Sequence, residues 1–354
     1  IRYFGQKTIF ENNKIIRNNF AQLLPKSKQK KFVNFIIDNI KFNIPKIFLE
    51  NFFELEKIYL KSKWPNKAKY IITTYGHYYD ELFKFYIANQ KKKFKQTRLC
   101  ILQHGYGNMF SKNDYYNVYL DRKISDFYLS WGNLKIKKNI PFFYPRRSGN
   151  IISNFQFKKT NNILLLTYSF SGTLHYPPDG SKNGNIVNQE SIKKIFTFSN
   201  KLKKDLLKKI FIKNQNINIS NSFENTVRKY LKVKYISNNE KFLKIENRFN
   251  LFIHVFFGTP FFECMTLNKP SIIIYNEKFH QPFNKRFKIY IKKLKKEKIL
   301  FTDEKKAAEF INKEYFQLER WWNSKNLQKL RKEFCYDYCY YSSKEIESFK
   351  KILK

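Results

Sequence analysis

The sequence predicts an α/β protein built on parallel strands, and three stretches carry that expectation. Leu99 to Leu102 run without a polar break into Gln103-His-Gly-Tyr-Gly107. Asn250-Leu-Phe-Ile-His-Val-Phe-Phe257 leads into Gly258-Thr-Pro260, and Asn162-Ile-Leu-Leu-Leu-Thr-Tyr168 is the cleanest apolar run in the chain. Short apolar runs bounded by turn residues suit strands covered on both faces. In open parallel sheets ligands gather at the carboxyl ends of strands, where loops converge and helix N-termini present N–H groups. Gln103, His104, Gly105 and Gly107 are therefore candidate site residues, the glycines permitting a tight turn and close backbone approach. An ordinary strand-to-loop turn with a hydrogen-bonded histidine is the equal alternative on these residues alone.

The second stretch adds weight. Gly258-Thr259-Pro260 followed by Phe261-Phe-Glu-Cys-Met265 reads as a turn into a helix, with Thr259 as cap and Pro260 at the first helical position. Glu263 then lies about one turn in, on the side facing the turn. Such a turn offers N–H donors and a hydroxyl to a phosphate. Pro270 to Tyr275 follow as another apolar strand, completing a parallel strand-helix-strand unit.

Composition bounds the rest. With 354 residues, 42% hydrophobic and 19% aromatic, the chain has enough apolar surface for two domains and is not disordered. No apolar stretch approaches the ~18 residues of a membrane span, nothing at the start resembles a signal peptide, and a cytoplasmic location is expected. The first residue is Ile rather than Met, so a processed N-terminus or a fragment is expected. Cys100, Cys264, Cys335 and Cys339 have no metal-ligand spacing and are expected as reduced thiols.

The formal charge is +41, from 69 basic against 28 acidic residues. Only 11 of the 69 are Arg, in a chain also swollen in Asn, Ile, Phe and Tyr, so a bias towards A/T-rich codons accounts for much of the excess. The functional alternative is attraction to anionic substrates or lipid headgroups, about 1 kcal/mol per basic residue at a membrane surface. Nucleic acid is disfavoured, because there are neither Arg-rich clusters nor an aromatic RNP-type strand.

Taken in order, residues 1 to about 60 are expected to be helical, with packing helices over 31–37 and 48–56 broken at Pro45. Lys69 to Tyr75 form a strand and Gly76-His77 a turn, with a helix from Asp80 to Ala88. That places His77, like His104, after a strand, although a surface or satisfied histidine is the commoner reading. Ile124-Ser-Asp-Phe-Tyr-Leu-Ser-Trp-Gly132 contains a third strand. Asp121 and Asp126 are the carboxylates nearest the glycine turn, candidates for a general base or, more commonly, caps and ion-pair partners. Residues 142–150 read as a linker, dividing a domain at 1–150 from one at 151–354. In the second domain Ser169 to Gly172 tip a strand and residues 175–184 form a polar loop. A helix over 190–209, a strand over 209–212 and a helical tail from Asp303 follow, with Ser324 as a cap.

Four motifs in order carry a resemblance: Gln103-His-Gly, Asp121-x-x-Ile-Ser-Asp-x-Tyr-Leu-Ser-Trp-Gly132, Gly258-Thr-x-x-x-Glu263 with Asn268-Lys-Pro-Ser-Ile-Ile273, and Trp321-Trp-Asn-Ser with Phe334. From about 45 to 340 the chain resembles transferases of bacterial surface-carbohydrate biosynthesis, a family similar to GT-B glycosyltransferases and to capsule and glycerophosphate transferases. The resemblance implies two Rossmann-like domains facing a cleft, with helical N- and C-terminal extensions. It also implies a sugar or sugar-phosphate transferase that takes a nucleotide-activated donor to a cell-surface glycan or lipid-linked acceptor, with neither metal nor cofactor. Gly258, Thr259, Glu263 and Ser169 would hold the donor; His104 and Asp121 would be catalytic; Gln103, Gly105, Gly107 and His77 would line the acceptor side.

The sequence departs from the family pattern in its shorter Gln103-to-Gly107 turn, in Leu120-Asp121 where His-Glu is usual, and in Asn133 where tryptophan is usual. The family also extends further N-terminally, so the first domain is expected to be incomplete. Peripheral contact with the inner face of the membrane follows from the charge. The rival class is a non-catalytic protein binding glycans or nucleic acid on the same fold.

Overall fold

The structure, a computed structural model, describes residues 13–24, 31–105, 110, 116–133, 139–142, 154–168, 184–215, 221–237, 239–275, 283–340, 344, 347 and 350–351. Gly107, Ser169, the 143–150 part of the linker and nearly all of the 175–184 loop lie outside them. The chain divides into two compact units, Ile1–Cys100 and Ile101–Lys354.

The first unit begins with helices α1 (Lys14–Gln22), α2 (Lys31–Asn43) and α3 (Phe52–Leu60). Strand β1 (Tyr70–Thr73), helices α4 (Gly76–Tyr79) and α5 (Glu81–Lys93) and the start of β2 (Arg98–Leu102) follow. Asn13 caps α1 by accepting from the Ile15 and Ile16 N–H groups, and Asp80 caps α5 through Phe83 N. The buried Arg17 guanidinium bonds both carboxylate oxygens of Glu50 and the carbonyls of Lys41 and Ile44, so one residue ties three segments together. Its hydrogen bond holds the Glu50 carboxyl below the usual carboxylate range. Gly76-His77, expected as a turn, instead opens the short α4. Gly76 lies so close to the Phe83 ring that a β-carbon there would press on it.

The second unit continues from β2 through α6 (Tyr116–Ile124), β3 (Phe127–Ser130) and β4 (Asn139–Pro141). Within this unit β3 and β4 pair in parallel. The chain then forms β5 (Ile163–Tyr168), α7 (Gly184–Ser199), α8 (Lys204–Leu207), β6 (Ile210–Gln215), α9 (Asn221–Tyr230), β7 (Lys234–Tyr235) and α10 (Phe242–Ile245). After these come β8 (Leu251–His254), α11 (Thr259–Thr266), β9 (Ser271–Ile274), α12 (Lys285–Lys296), β10 (Leu300–Phe301), α13 (Glu304–Glu314), α14 (Leu318–Trp322) and α15 (Lys325–Tyr338).

Six strands make a wholly parallel sheet in the order β10-β9-β8-β5-β6-β7. Chain order grows outward in both directions from the β5–β8 pair, which is the doubly wound arrangement of a dinucleotide-binding sheet. Alternation within the strands gives it two apolar faces. Ile163, Leu165, Ile210, Ile212, Leu251 and Ile253 join one buried layer, while Leu164, Leu166 and Phe252 join the other with Ile236, Ile245 and Cys264.

Three expectations change. The helix expected over 190–209 is two helices, because the chain turns at 200–203, where Lys203 N bonds the Asn312 side chain. The strand expected over 250–257 ends at His254, although Val255, Phe256 and Phe257 remain buried. Ser324 holds the N-cap position of α15 without a side-chain bond.

Candidate functional site

Two strand ends were singled out, and the structure builds them differently. At the end of β2, Gln103 is buried and its amide is used at both ends. Its Nε2 donates to Gly105 O at 2.8 Å and its Oε1 accepts from Trp131 N at 2.9 Å. Its backbone N–H donates to Leu129 O. The amide thereby closes a small loop around half-buried His104 and ties it to the end of β3. Gly105 sits at φ 75°, a backbone region that glycine enters without strain, and no described residue lies within 4 Å of a β-carbon built there. Asp121 is buried on α6.

The end of β3 is fixed by the C-terminal helix. Asn133 N donates to Tyr336 O and Tyr340 N to Trp131 O, and a β-carbon at Gly132 would overlap the Asp337 carbonyl. Arg286 from α12 donates to Asn133 O and pairs with Asp337. Seven residues beyond Gln103, Phe110 packs its ring on Phe257, with centroids 5.6 Å apart, and accepts from Asn284 N through its carbonyl. The chain after β2 thus reaches the residue that precedes Gly258.

At the end of β8 one buried polar atom has no partner. His254 is the last residue of the strand, its ring edge-on to Phe261 of α11 at 5.4 Å. It is 1% exposed and its Nε2 has no hydrogen-bond partner. Burial pushes its pKa down to about 3, so the ring is neutral at physiological pH. Gly258, rather than Thr259, occupies the N-cap of α11; Thr259 is the first helical residue, and no side chain caps the helix. A β-carbon at Gly258 would run into the Phe256 ring, which would have to move to admit it. Glu263 is buried one turn further on.

Register sets further groups beside His254. Leu166 of β5 is paired with His254 on one side and with Lys213 of β6 on the other, so both ionisable residues stand at one level, about 10 Å apart across two strand spacings. The Lys213 ammonium is largely buried, donates to Ser237 O at 2.8 Å, and has its pKa lowered by desolvation. At the next level Thr167 donates to Asn214 Oδ1 at 3.2 Å. The three central strands therefore turn polar together at their carboxyl ends, on both sides of the β5–β8 switch point. Chemically this edge can offer an uncapped helix start, a neutral imidazole nitrogen and a desolvated amine.

Gln103, His104, Gly105, Asp121, Gly258, Thr259 and Glu263 all belong to the second unit. His77 belongs to the first, where it is buried in α4 with its ring 4.1 Å from that of Tyr78. Sequence reasoning passed over His254, Lys213 and Asn214. Their signal was legible: an ionisable or amide residue ending an apolar strand, in Leu-Phe-Ile-His254 and Phe-Ile-Lys-Asn214.

Among known families, the chain matches the model described as LIC12162 family transferase over residues 5–353. No curated protein matches it.

Proposed function

The chain belongs to the LIC12162 family of transferases, and from that premise we propose that it moves a sugar or sugar-phosphate group from a nucleotide-activated donor to a glycan or lipid-linked acceptor. The donor's diphosphate lies at the start of α11, against the Thr259 hydroxyl and the N–H groups of the first helical turn, and Glu263 accepts from ribose hydroxyls. N–H groups and basic side chains stabilise charge on the leaving phosphate without a metal. His104, oriented by the Gln103 loop, or Asp121 accepts the proton of the attacking hydroxyl. In this reading residues 1–150 form the acceptor side and residues 151–354 the donor side of a GT-B pair.

The observation that carries the reading is the strand order, because doubly wound sheets bind nucleotides outside the carboxyl ends of the strands that flank the switch point. Here those strands are β5 and β8, and the second ends in a buried imidazole nitrogen without a partner. A panel of nucleotides and nucleotide sugars, scored by thermal unfolding, tests it. A ligand at ~100 times its Kd stabilises the folded state by about 2.7 kcal/mol. One or more of the panel is expected to raise Tm in wild type and to do so less in Glu263→Gln; a panel that leaves wild type unmoved rejects the donor assignment.

A further inference from the structure

The structure assigns a redox-active dithiol to Cys335 and Cys339, at the carboxyl end of α15, with a small disulfide as its oxidising partner. The two residues are four apart, which sets their α-carbons about 6 Å from each other, inside the range that a disulfide spans. Both are free, and the thiols hydrogen-bond each other. Cys335 is partly buried at the edge of the core, while Cys339 is buried beneath it. Cys100 and Cys264 are fully buried strand and helix residues.

The surroundings divide the roles. The Cys339 thiol and the Arg331 guanidinium both favour a thiolate on Cys335 and lower its pKa, whereas burial raises that of Cys339. Cys335 is thus the attacking sulfur and Cys339 the resolving one. The Cys335 thiolate attacks a disulfide RS–SR, forms a mixed disulfide and expels one RS⁻. Cys339, giving up its proton, then attacks the Cys335 sulfur and expels the second RS⁻. Two electrons leave the pair and two thiols leave the site.

Inside a regular helix, residues four apart keep their β-carbons about 5–6 Å from each other, too far for a relaxed disulfide. Cys339 has already left the helix, at φ −151° and ψ 55°, so the movement falls on the cap. A bond formed this way is strained and easily reduced, as a reversible switch requires. The cap also leads elsewhere. Cys339 O accepts from Thr266 at the end of α11, and the next residue, Tyr340, donates to Trp131 O. Trp131 N in turn donates to Gln103, so oxidation acts on the last turn of α11 and on the anchor of the His104 loop.

The test uses the whole folded chain and dithiobis(nitrobenzoate), followed by intact mass and peptide mapping. Wild type is expected to release two thionitrobenzoate ions, retain no adduct and yield a Cys335–Cys339 cross-linked peptide that dithiothreitol reverses. Cys339→Ser should release one ion and keep its adduct on Cys335, and Cys335→Ser should release none. A stable single adduct in wild type, no release at all, or release that maps to Cys100 or Cys264 overturns the assignment. Wild-type mapping decides the matter even if a variant fails to fold.

Discussion

The carboxyl ends of β2 and β8 look alike in sequence, each an apolar strand running into a histidine and a glycine turn, yet they are finished by different means. At β2 the chain supplies its own partners: the Gln103 amide serves Gly105 on one side and Trp131 on the other. At β8 it does not, since His254 Nε2 is buried without a partner and α11 starts with no side-chain cap. Buried polar groups are nearly always satisfied, so the unpaired His254 Nε2 sets this strand end apart from that of β2. The first turn holds a residue in place, and the second leaves His254 Nε2 without a hydrogen bond. Similar motifs are therefore finished differently, one by its own side chains and the other with a buried nitrogen left unpaired.

The largest expected effect falls on the open end and comes from pH. The folded-state pKa of His254 lies near 3, below the ordinary histidine value, so between about 6.5 and 3 the unfolded chain takes up a proton that the folded chain refuses. Its contribution is constant above that window and is lost on acidification at up to ~1.4 kcal/mol per pH unit, about 3 kcal/mol by pH 4.5. Urea titrations of wild type and His254→Leu measure this, and the variant should show a flatter profile on the acid side. At pH 8 the same variant should be as stable as wild type or more so, because it removes an unpaired buried nitrogen. Identical acid profiles for the two proteins would mean that His254 finds a partner or solvent, and the contrast between the two ends would be gone.

Next comes the closed end. Gln103→Leu leaves Trp131 N–H without its acceptor and Gly105 C=O without its donor, and should cost roughly 2 kcal/mol in the urea midpoint at constant m-value. A cost below ~0.5 kcal/mol would show that the loop holds without the amide. Smallest is Gly105→Ala: no described residue meets the methyl, but φ is 75°, so the left-handed backbone penalises it, by about 1 kcal/mol. Pairing it with Gly258→Ala sharpens the comparison, since there the methyl meets the Phe256 ring and the loss should be greater.

Much of the fold was legible because strand burial is a local pattern. Leu99–Leu102, Ile163–Leu166, Phe252–Ile253 and Ile272–Ile274 are unbroken apolar runs, and all four are strands in the structure. Helix breaks were harder to read. The chain turns at 200–203 with no proline or glycine there, since the deciding bond, Lys203 N to the Asn312 side chain, comes from more than a hundred residues away. Helix α11 starts one residue earlier than the capping chemistry of Thr259 indicates. Thr259 has the better capping chemistry, but it already lies inside the helix, which leaves Gly258 at the cap.

By itself the sequence determined an α/β chain with polar glycine turns after two apolar strands, and the family motifs that run through it. These properties follow from residue type and short-range spacing, which act before any distant contact is made. Only the tertiary structure decided that β5 lies beside β8, nearly ninety positions on, which creates the switch point. It alone decided that Leu166 stands between Lys213 and His254, and that Gln103 is spent on Trp131 while His254 Nε2 is spent on nothing. Whether a buried polar atom is satisfied depends on which distant segments the packed core brings against it, and no local pattern carries that information.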